Sequence, residues 1–390
     1  MESCNPFKST SNTSESPQPT YLPHCIRDKF LIKSQGDVEI IQSCSRISGS
    51  IEIRGYSDAL LVLDNLQALN GSLSIVQSPN LVRIEAPRLE TISNVFHMEK
   101  LTSLALVHMP VLTSVTNLEW RVLPILGNIN FGNIDGLQSI IISDTSLTGV
   151  SGFSSAKLKV VDVNNNRFME SLRSDVGHVS EKLHIAANAN NMVVELKSLV
   201  SAHNISVHNL ASLDISMLEE VKGSINLIAN LFSELKMPKL TTVGGTFSIS
   251  KNEKLQTINL TSLKEVGGGL QINGNLYISK IDFLPKLSIV GGALELVGNI
   301  KEVTMKSLKL VKGSARVITS DQNFNCATWK QKDASTVVRG GKVECMILLE
   351  KSAEKVSVPS VKALSGASNF GVGILQLMVA GALGSIGWFH

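Results

Sequence analysis

Residues 223–268 read GSINLIANLFSELKMPKLTTVGGTFSISKNEKLQTINLTSLKEVGG, two versions of one phrase laid end to end. Each version opens on glycine and then alternates polar and apolar residues, as in Ser224-Ile225-Asn226-Leu227 and Thr246-Phe247-Ser248-Ile249. A leucine and isoleucine pair follows (Leu255 and Ile258), then Leu-x-x-Val ahead of the next glycine (Leu263 and Val266). The phrase returns as GLQINGNLYISKIDFLPKLSIVGG from Gly269, GALELVGNIKEVTMKSLKLVKG from Gly292 and GSARVIT from Gly313. Starts at Gly223, Gly245, Gly269, Gly292 and Gly313 lie 22, 24, 23 and 21 residues apart. Upstream, GSIEIRGYSDALLVLDNLQALNG from Gly49 and GSLSIVQSPNLVRIEAPRLETISN from Gly71 carry the same pattern. A period held this closely marks a solenoid.

Three short apolar pieces per unit fit strands of a few residues separated by turns, and no stretch carries a convincing amphipathic helix. Stacking such coils pairs like strands in parallel ladders, with Ile, Leu and Val inward and Ser, Lys and Glu outward. The GG and NG steps are expected to give the backbone freedom needed at corners. The fold class expected is therefore all-β, a right-handed parallel β-helix solenoid of roughly a dozen coils. A leucine-rich horseshoe is the competing architecture, but its LxxLxLxxN signature is met only once, by Leu101, Leu104 and Leu106. The less regular middle, 120–220, still offers NINFGN, KLKVVDVNNN, KLHIAANANN and NISVHN as degenerate opening strands. One repeat ectodomain over 25–345 follows, and 120–130 or 195–215 are where a junction would fall.

Five cysteines are present: Cys4, Cys25, Cys44, Cys326 and Cys345. Two pairs, each separated by 19 residues (44 − 25 and 345 − 326), bracket the repeats with none between. Metal knuckles need closer spacing or clustered histidine. Disulfides Cys25–Cys44 and Cys326–Cys345 are expected, placed where a solenoid must cap its open ends. Each would contribute about 3 kcal/mol on the chain-entropy estimate. Reduced, buried thiols in a cytosolic chain are the other reading of the same residues.

Hydrophobic residues make up 43% and charged residues 18%, the balance of a folded chain. Formal net charge is +3, from 36 basic and 33 acidic residues, so nothing argues for nucleic acid. Aromatics are 5%, with three Trp and three Tyr, which leaves little material for stacking sugars or bases.

The chain ends disagree about compartment. Residues 1–24 read as a disordered polar leader and lack the basic and apolar regions of a secretory signal. At the other end, a linker over 346–369 leads into an apolar tail over 370–390. Its core, FGVGILQLMVAGALGSIGWF from Phe370 to Phe389, is uncharged for 20 residues. Small residues before a terminal apolar tail are the requirement for a glycosylphosphatidylinositol (GPI) signal, with Ser365, Gly366, Ser368 and Asn369 as attachment candidates. A single-span anchor and a buried terminal helix are the alternatives. Because a terminal apolar run of that length is rarely accidental, the C-terminal signal sets the expected address, the cell surface. Asn12, Asn70, Asn204 and Asn259 begin N-x-[ST] sequons and are N-glycosylation candidates there.

Catalysis finds little support. Glycoside cleavage wants two carboxylates at a fixed separation on one face. Asp135, Asp144 and Asp162 are spaced by 9 and 18 residues, which does not match the coil period, and Asp214, Glu219 and Glu220 fare no better. Histidines 97, 108, 178, 184, 203 and 208 have no carboxylate or thiolate at ligand spacing, so no metal or other cofactor is assigned. No G-x-S-x-G, GxGxxG or P-loop motif occurs. Asn164, Asn165 and Asn166, with Arg167, are read as a polar turn at a coil corner and a candidate surface contact for a glycan or partner.

The opening CIRDKFLIKSQGDVEIIQSCSRISGSIEI, through Cys25, Cys44, Ile47, Gly49, Ile51 and Ile53, resembles that of the fungal GPI-anchored cell-wall and sporulation-specific proteins. The closing NFNCATWKQKDASTVVRGGKVEC resembles the family's terminal cysteine module at Phe324, Cys326 and Cys345. The repeats also resemble receptor L-domains, the β-helical ligand-binding modules of growth-factor receptors. The resemblance implies a non-enzymatic surface glycoprotein, held to the plasma membrane by a GPI lipid or transferred to the cell or spore wall. Wall glucan is the further partner it suggests, and the role implied is wall integrity or spore-wall assembly. A glycan- or protein-binding recognition ectodomain and a polysaccharide-acting β-helix enzyme are the alternatives. Two departures from the family pattern are the missing secretory signal and a Ser/Thr-rich stalk reduced to 346–365.

Overall fold

In the computed structural model, which describes residues 21–348, the phrase from Gly223 closes one coil. Strand Ile225–Ile228 leads through a corner to strand Glu234–Lys236, then by a turn to strand Thr242–Val243. About 13 such turns stack into a parallel β-solenoid. The register explains the repeat: Ile225 pairs with Phe247, Phe247 with Leu270, Leu270 with Leu294, and Leu294 with Ala315. All five are buried. Each apolar side chain therefore rests on the residue at the same place one coil later, and the period of the sequence is the circumference of the coil.

Most strands join one 23-stranded sheet, while the remaining face breaks into groups of four, four, two and two strands. One hydrophobic cluster runs from Cys25 to Val338 and passes through 120–130 and 195–215. Within it, Trp120 lies edge-on to Phe96 at 5.7 Å between ring centroids.

The glycine pairs serve a different purpose from the expected one. A Cβ on Gly267 would sit 2.3 Å from the carbonyl oxygen of Gly244, and one on Gly244 would sit 2.0 Å from that of Lys222. These glycines stack because successive backbones approach too closely for a side chain, not because they turn the chain. The left-handed corner falls instead after the longer strand. It is occupied by Asp144, Asn165, Ala187, Ala229 and Lys251, all with φ between 52° and 57°.

The residue after each of those corners turns into the interior. Thr145, Asn166, Asn188, Asn230 and Asn252 are all buried, as is Asn275 behind Gly274. They form two amide ladders. The N–H of Asn166 donates to Oδ1 of Asn188 at 3.1 Å, while Asn230, Asn252 and Asn275 continue the pattern further on. Leu210 interrupts the series, and its N–H donates to Oδ1 of Asn230 at 3.1 Å. Asn166 is thus corrected from surface contact to core: its inward amide accepts from the N–H of Thr145 and donates to the Ile142 carbonyl, satisfying groups that the corner leaves buried.

The caps contain the helices that the repeat pattern did not announce. Gln35–Gln42 is an α-helix whose Val38 and Ile41 cover Phe30 and Ile32 at the first coil. Its start is fixed by Asp37, whose carboxylate accepts from the N–H of Ser34 at 3.0 Å and of Lys33 at 2.8 Å. These bonds, the Lys33 one foremost, hold the Asp37 carboxyl below its ordinary value. The Cys25–Cys44 disulfide staples this helix to the strand before it. At the other end, helical turns over Cys326–Thr328 and Trp329–Ala334 precede strand Val343–Ile347, which pairs with Ala315–Thr319. Cys326–Cys345 closes that module. Cys4, Asn12, the four attachment candidates and the tail over 370–390 lie outside the described residues.

Candidate functional site

On the broad sheet, residues between the inward ones project outward, and the parallel register lines them up in rows. One row runs Glu52, Ser74, His97, Glu119, Ile141, Asp162, His184, Ser206. Its charges are matched locally. The ammonium of Lys29 lies 2.6 Å from the Glu52 carboxylate, and Lys182 lies 2.7 Å from that of Asp162. His97 sits between Glu99 at 3.6 Å and Glu119 at 3.7 Å. Exposed pairs of this kind add little stability each but leave few charges uncompensated.

The candidate carboxylates do not converge. Ile141 separates Glu119 from Asp162 in the row. Asp162 also accepts from Nδ2 of Asn164 at 2.7 Å. Asp135 faces Ser114 and Ser154 across its ladder, and Asp144 pairs with the amide of Asn165. Asp214 is engaged by the N–H and hydroxyl of Ser216 at 3.2 and 2.8 Å, while Glu219 and Glu220 are exposed in the following turn and strand.

The histidines are similarly dispersed. His108 bonds to Asn130 at 3.2 Å, His178 to Ser201 at 2.8 Å, and His203 is exposed. His184 and His208 come together, with ring centroids 6.3 Å apart, and His208 bonds to the Ser206 hydroxyl at 3.2 Å. Burial pushes both imidazoles below their ordinary value; at His184, Lys182 and His208 add to that and Asp162 opposes it. They are therefore neutral at neutral pH. Among the described residues, His24, Cys25 and Cys44 are the group close enough to share a metal, but the two sulfurs are bonded to each other.

Of the four corner residues read as a contact, Asn165 and Arg167 reach the surface, and Arg167 lies over the Phe168 ring at 4.6 Å. Asn164 is half-buried against Asp162. Asn70 and Asn204 are exposed and Asn259 is half-buried, its Oδ1 accepting from the Thr261 hydroxyl at 3.1 Å. Among the described residues, none of these three amide nitrogens donates a hydrogen bond.

Two concavities were not foreseen. One, of about 410 Å³, lies between the last coils and the C-terminal cap, with Met305, Leu308 and Trp329 in its lining. The other, of about 330 Å³, opens on the narrow face beside Tyr277 and Phe283. The signal for the second was present in the repeats: where one unit has Lys254 two residues after its buried asparagine, the next has Tyr277.

No protein-family model matches the chain, and no solved structure matches it. Curated fungal proteins do. Sporulation-specific protein 22 of Saccharomyces cerevisiae is 36% identical over 327 residues, which is 83% of this chain and 71% of that protein. Sporulation-specific protein 2 of the same yeast is 34% identical, over 82% of this chain and 65% of its own length. A cell surface GPI-anchored protein of Arthroderma benhamiae is 30% identical over 85% of both chains.

Proposed function

The chain belongs to the fungal family of cell-surface GPI-anchored and sporulation-specific proteins, and from that membership we propose a non-enzymatic glycoprotein that organises the cell or spore wall. It is a cell-surface, wall-associated protein. The observation that supports a non-enzymatic role is the outward row of the broad sheet. Its acids are engaged by Lys29, Lys182 and His97, and Ile141 separates Glu119 from Asp162 within the row. A cored, disulfide-closed array of this kind is suited to presenting surface rather than to holding a reacting atom. The names of the yeast relatives favour the spore wall over the vegetative wall as the place of action. Attachment follows from residues 365–390: transfer of Ser365, Gly366, Ser368 or Asn369 to a GPI lipid leaves the array outside the membrane, from which it can pass to wall glucan. Sugars on Asn70, Asn204 and Asn259 would add hydrated bulk to that surface.

Deleting the gene tests this reading. Walls or spores of the deletion strain should become sensitive to wall-perturbing dyes and lytic enzymes. The full chain should restore them, a chain lacking 370–390 should not, and a chain carrying Glu119→Gln with Asp162→Asn should restore them fully. Normal walls in the deletion strain refute the wall role; failure of the double carboxylate variant, correctly folded and displayed, refutes the non-enzymatic one.

A further inference from the structure

The narrow face is not a continuous sheet. Thr257–Asn259 pairs backward with Glu234–Lys236, and Lys280–Ile281 pairs forward with Glu302–Val303, but no ladder joins Thr257–Asn259 to Lys280–Ile281 one coil on. Two successive coils therefore part at this point, and a groove of about 330 Å³ opens between them. Gln256, Thr257, Tyr277, Lys280, Asp282 and Phe283 line it.

Tyr277 is 62% exposed, in a chain that has only three tyrosines. Its corner follows the buried Asn275, whose ladder fixes the backbone. The backbone that carries the ring is thus tied to the core, and the ring itself stands in solvent. Lys280 is matched by Glu302 at 3.7 Å, so Asp282 remains as the charge without an ion-pair partner among the described residues. A polyanion would be repelled. A sugar ring in a neutral polysaccharide has an apolar C–H face and a rim of hydroxyls, which calls for an aromatic plate bordered by donors and acceptors. Tyr277 and Phe283 supply the first, and Gln256, Thr257, Asp282 and the unladdered strand edges supply the second.

We propose that this groove is a binding subsite for a neutral polysaccharide chain, with one pyranose stacked on Tyr277 and its hydroxyls shared between Asp282 and Gln256. The choice of a wall carbohydrate rests on the wall-associated reading above; the groove itself does not.

Titration calorimetry of the purified full chain in detergent, against neutral hexasaccharides of glucose, mannose or N-acetylglucosamine, tests it. Saturable binding to one of them is expected. Tyr277→Ala should weaken that binding about ten-fold, the size of one aromatic contact. Tyr277→Phe should retain it, Asp282→Asn should weaken it less, and Phe168→Ala, at a distant exposed ring, should leave it unchanged. The Phe variant keeps the test decisive if the Ala variant misfolds, because loss of binding in Tyr277→Phe would contradict stacking. Absence of binding to every hexasaccharide, or wild-type affinity in Tyr277→Ala, overturns the subsite. Neither result touches the wall role, which stands or falls on the deletion strain.

Discussion

Oδ1 of Asn252 accepts two hydrogen bonds from Asn230, one from its backbone N–H at 2.9 Å and one from Nδ2 at 3.0 Å. One coil later Asn275 takes the same two bonds from Asn252, each at 3.0 Å. The residues just before, Ala229 and Lys251, hold φ of 53° and 57°. A side chain in that region costs about 1–2 kcal/mol. The amide column offsets the cost by pairing the N–H groups of Asn230 and Asn252, the residues that follow these two corners.

Replacing Asn252 with Ala removes both acceptor bonds and the donation to the Leu227 carbonyl at 3.0 Å. The buried N–H of Asn230 then lacks a partner, the Leu227 carbonyl loses one of its donors, and a loss of about 3 kcal/mol is expected in urea unfolding. A midpoint equal to wild type would show that water or a shifted corner replaces the ladder. Asn166→Ala should behave like Asn252→Ala, whereas a surface turn residue would change nothing.

Gly267→Ala and Gly55→Ala separate close approach from backbone twist. The first places a Cβ 2.3 Å from a backbone oxygen; the second has open space but φ of 63°. Thermal unfolding should show about 3 kcal/mol lost at Gly267 and about 1 kcal/mol at Gly55. Equal losses would remove the distinction.

The terminal coils have a stacking neighbour on one side only, so their disulfides should matter locally. Cys326→Ser with Cys345→Ser is expected to cost about 3 kcal/mol. In hydrogen exchange, protection should fall first in Val343–Ile347 and Ala315–Thr319 and hardly change at Ile225–Ile228. Uniform deprotection would mean that the array melts as a single unit.

His184 and His208 link stability to pH. Their folded values lie below the unfolded one because burial disfavours the imidazolium. The unfolded chain therefore binds protons first, and their contribution is complete above about pH 6.5 and declines as pH falls below it. The melting temperature should drop between neutral pH and pH 5, and His184→Gln with His208→Gln should reduce that drop. Glu52 and Glu99, held low chiefly by their hydrogen bonds to Lys29 and Lys100, lose their contributions in a more acidic window. A slope unaltered by the double substitution would assign the pH dependence to other groups.

The coil was legible because a parallel array writes its circumference into the sequence: Ile225, Phe247, Leu270 and Leu294 are one column, seen as one phrase. The asparagines recur in the same repeats, at Asn230, Asn252 and Asn275, yet polarity pointed outward while their burial depends on a neighbour a whole coil away. Glycine misled for a related reason. Gly244 and Gly267 have no unusual dihedral for a local reading to detect; their constraint is the backbone of the preceding coil. The helix Gln35–Gln42 is too short for an apolar period, though Ser34 with Asp37 three residues on was the available sign. Tyr277 was hidden by an average: few aromatics in the whole chain said nothing about where one of them stands.

The ladders between coils also decide how the array answers to force. Their hydrogen bonds run from coil to coil, so a pull applied at the chain ends loads them in line and opens them in succession rather than shearing a whole sheet at once. Because Cys326 and Cys345 are covalently joined, tension arriving from beyond Leu348 bypasses the residues between them and falls on strand Ala315–Thr319. Each coil of about 22 residues that then peels away lengthens the chain by roughly 75 Å. Anchored at one end, such an array would yield in graded steps, a tether that lengthens under load while the coils behind it keep their fold.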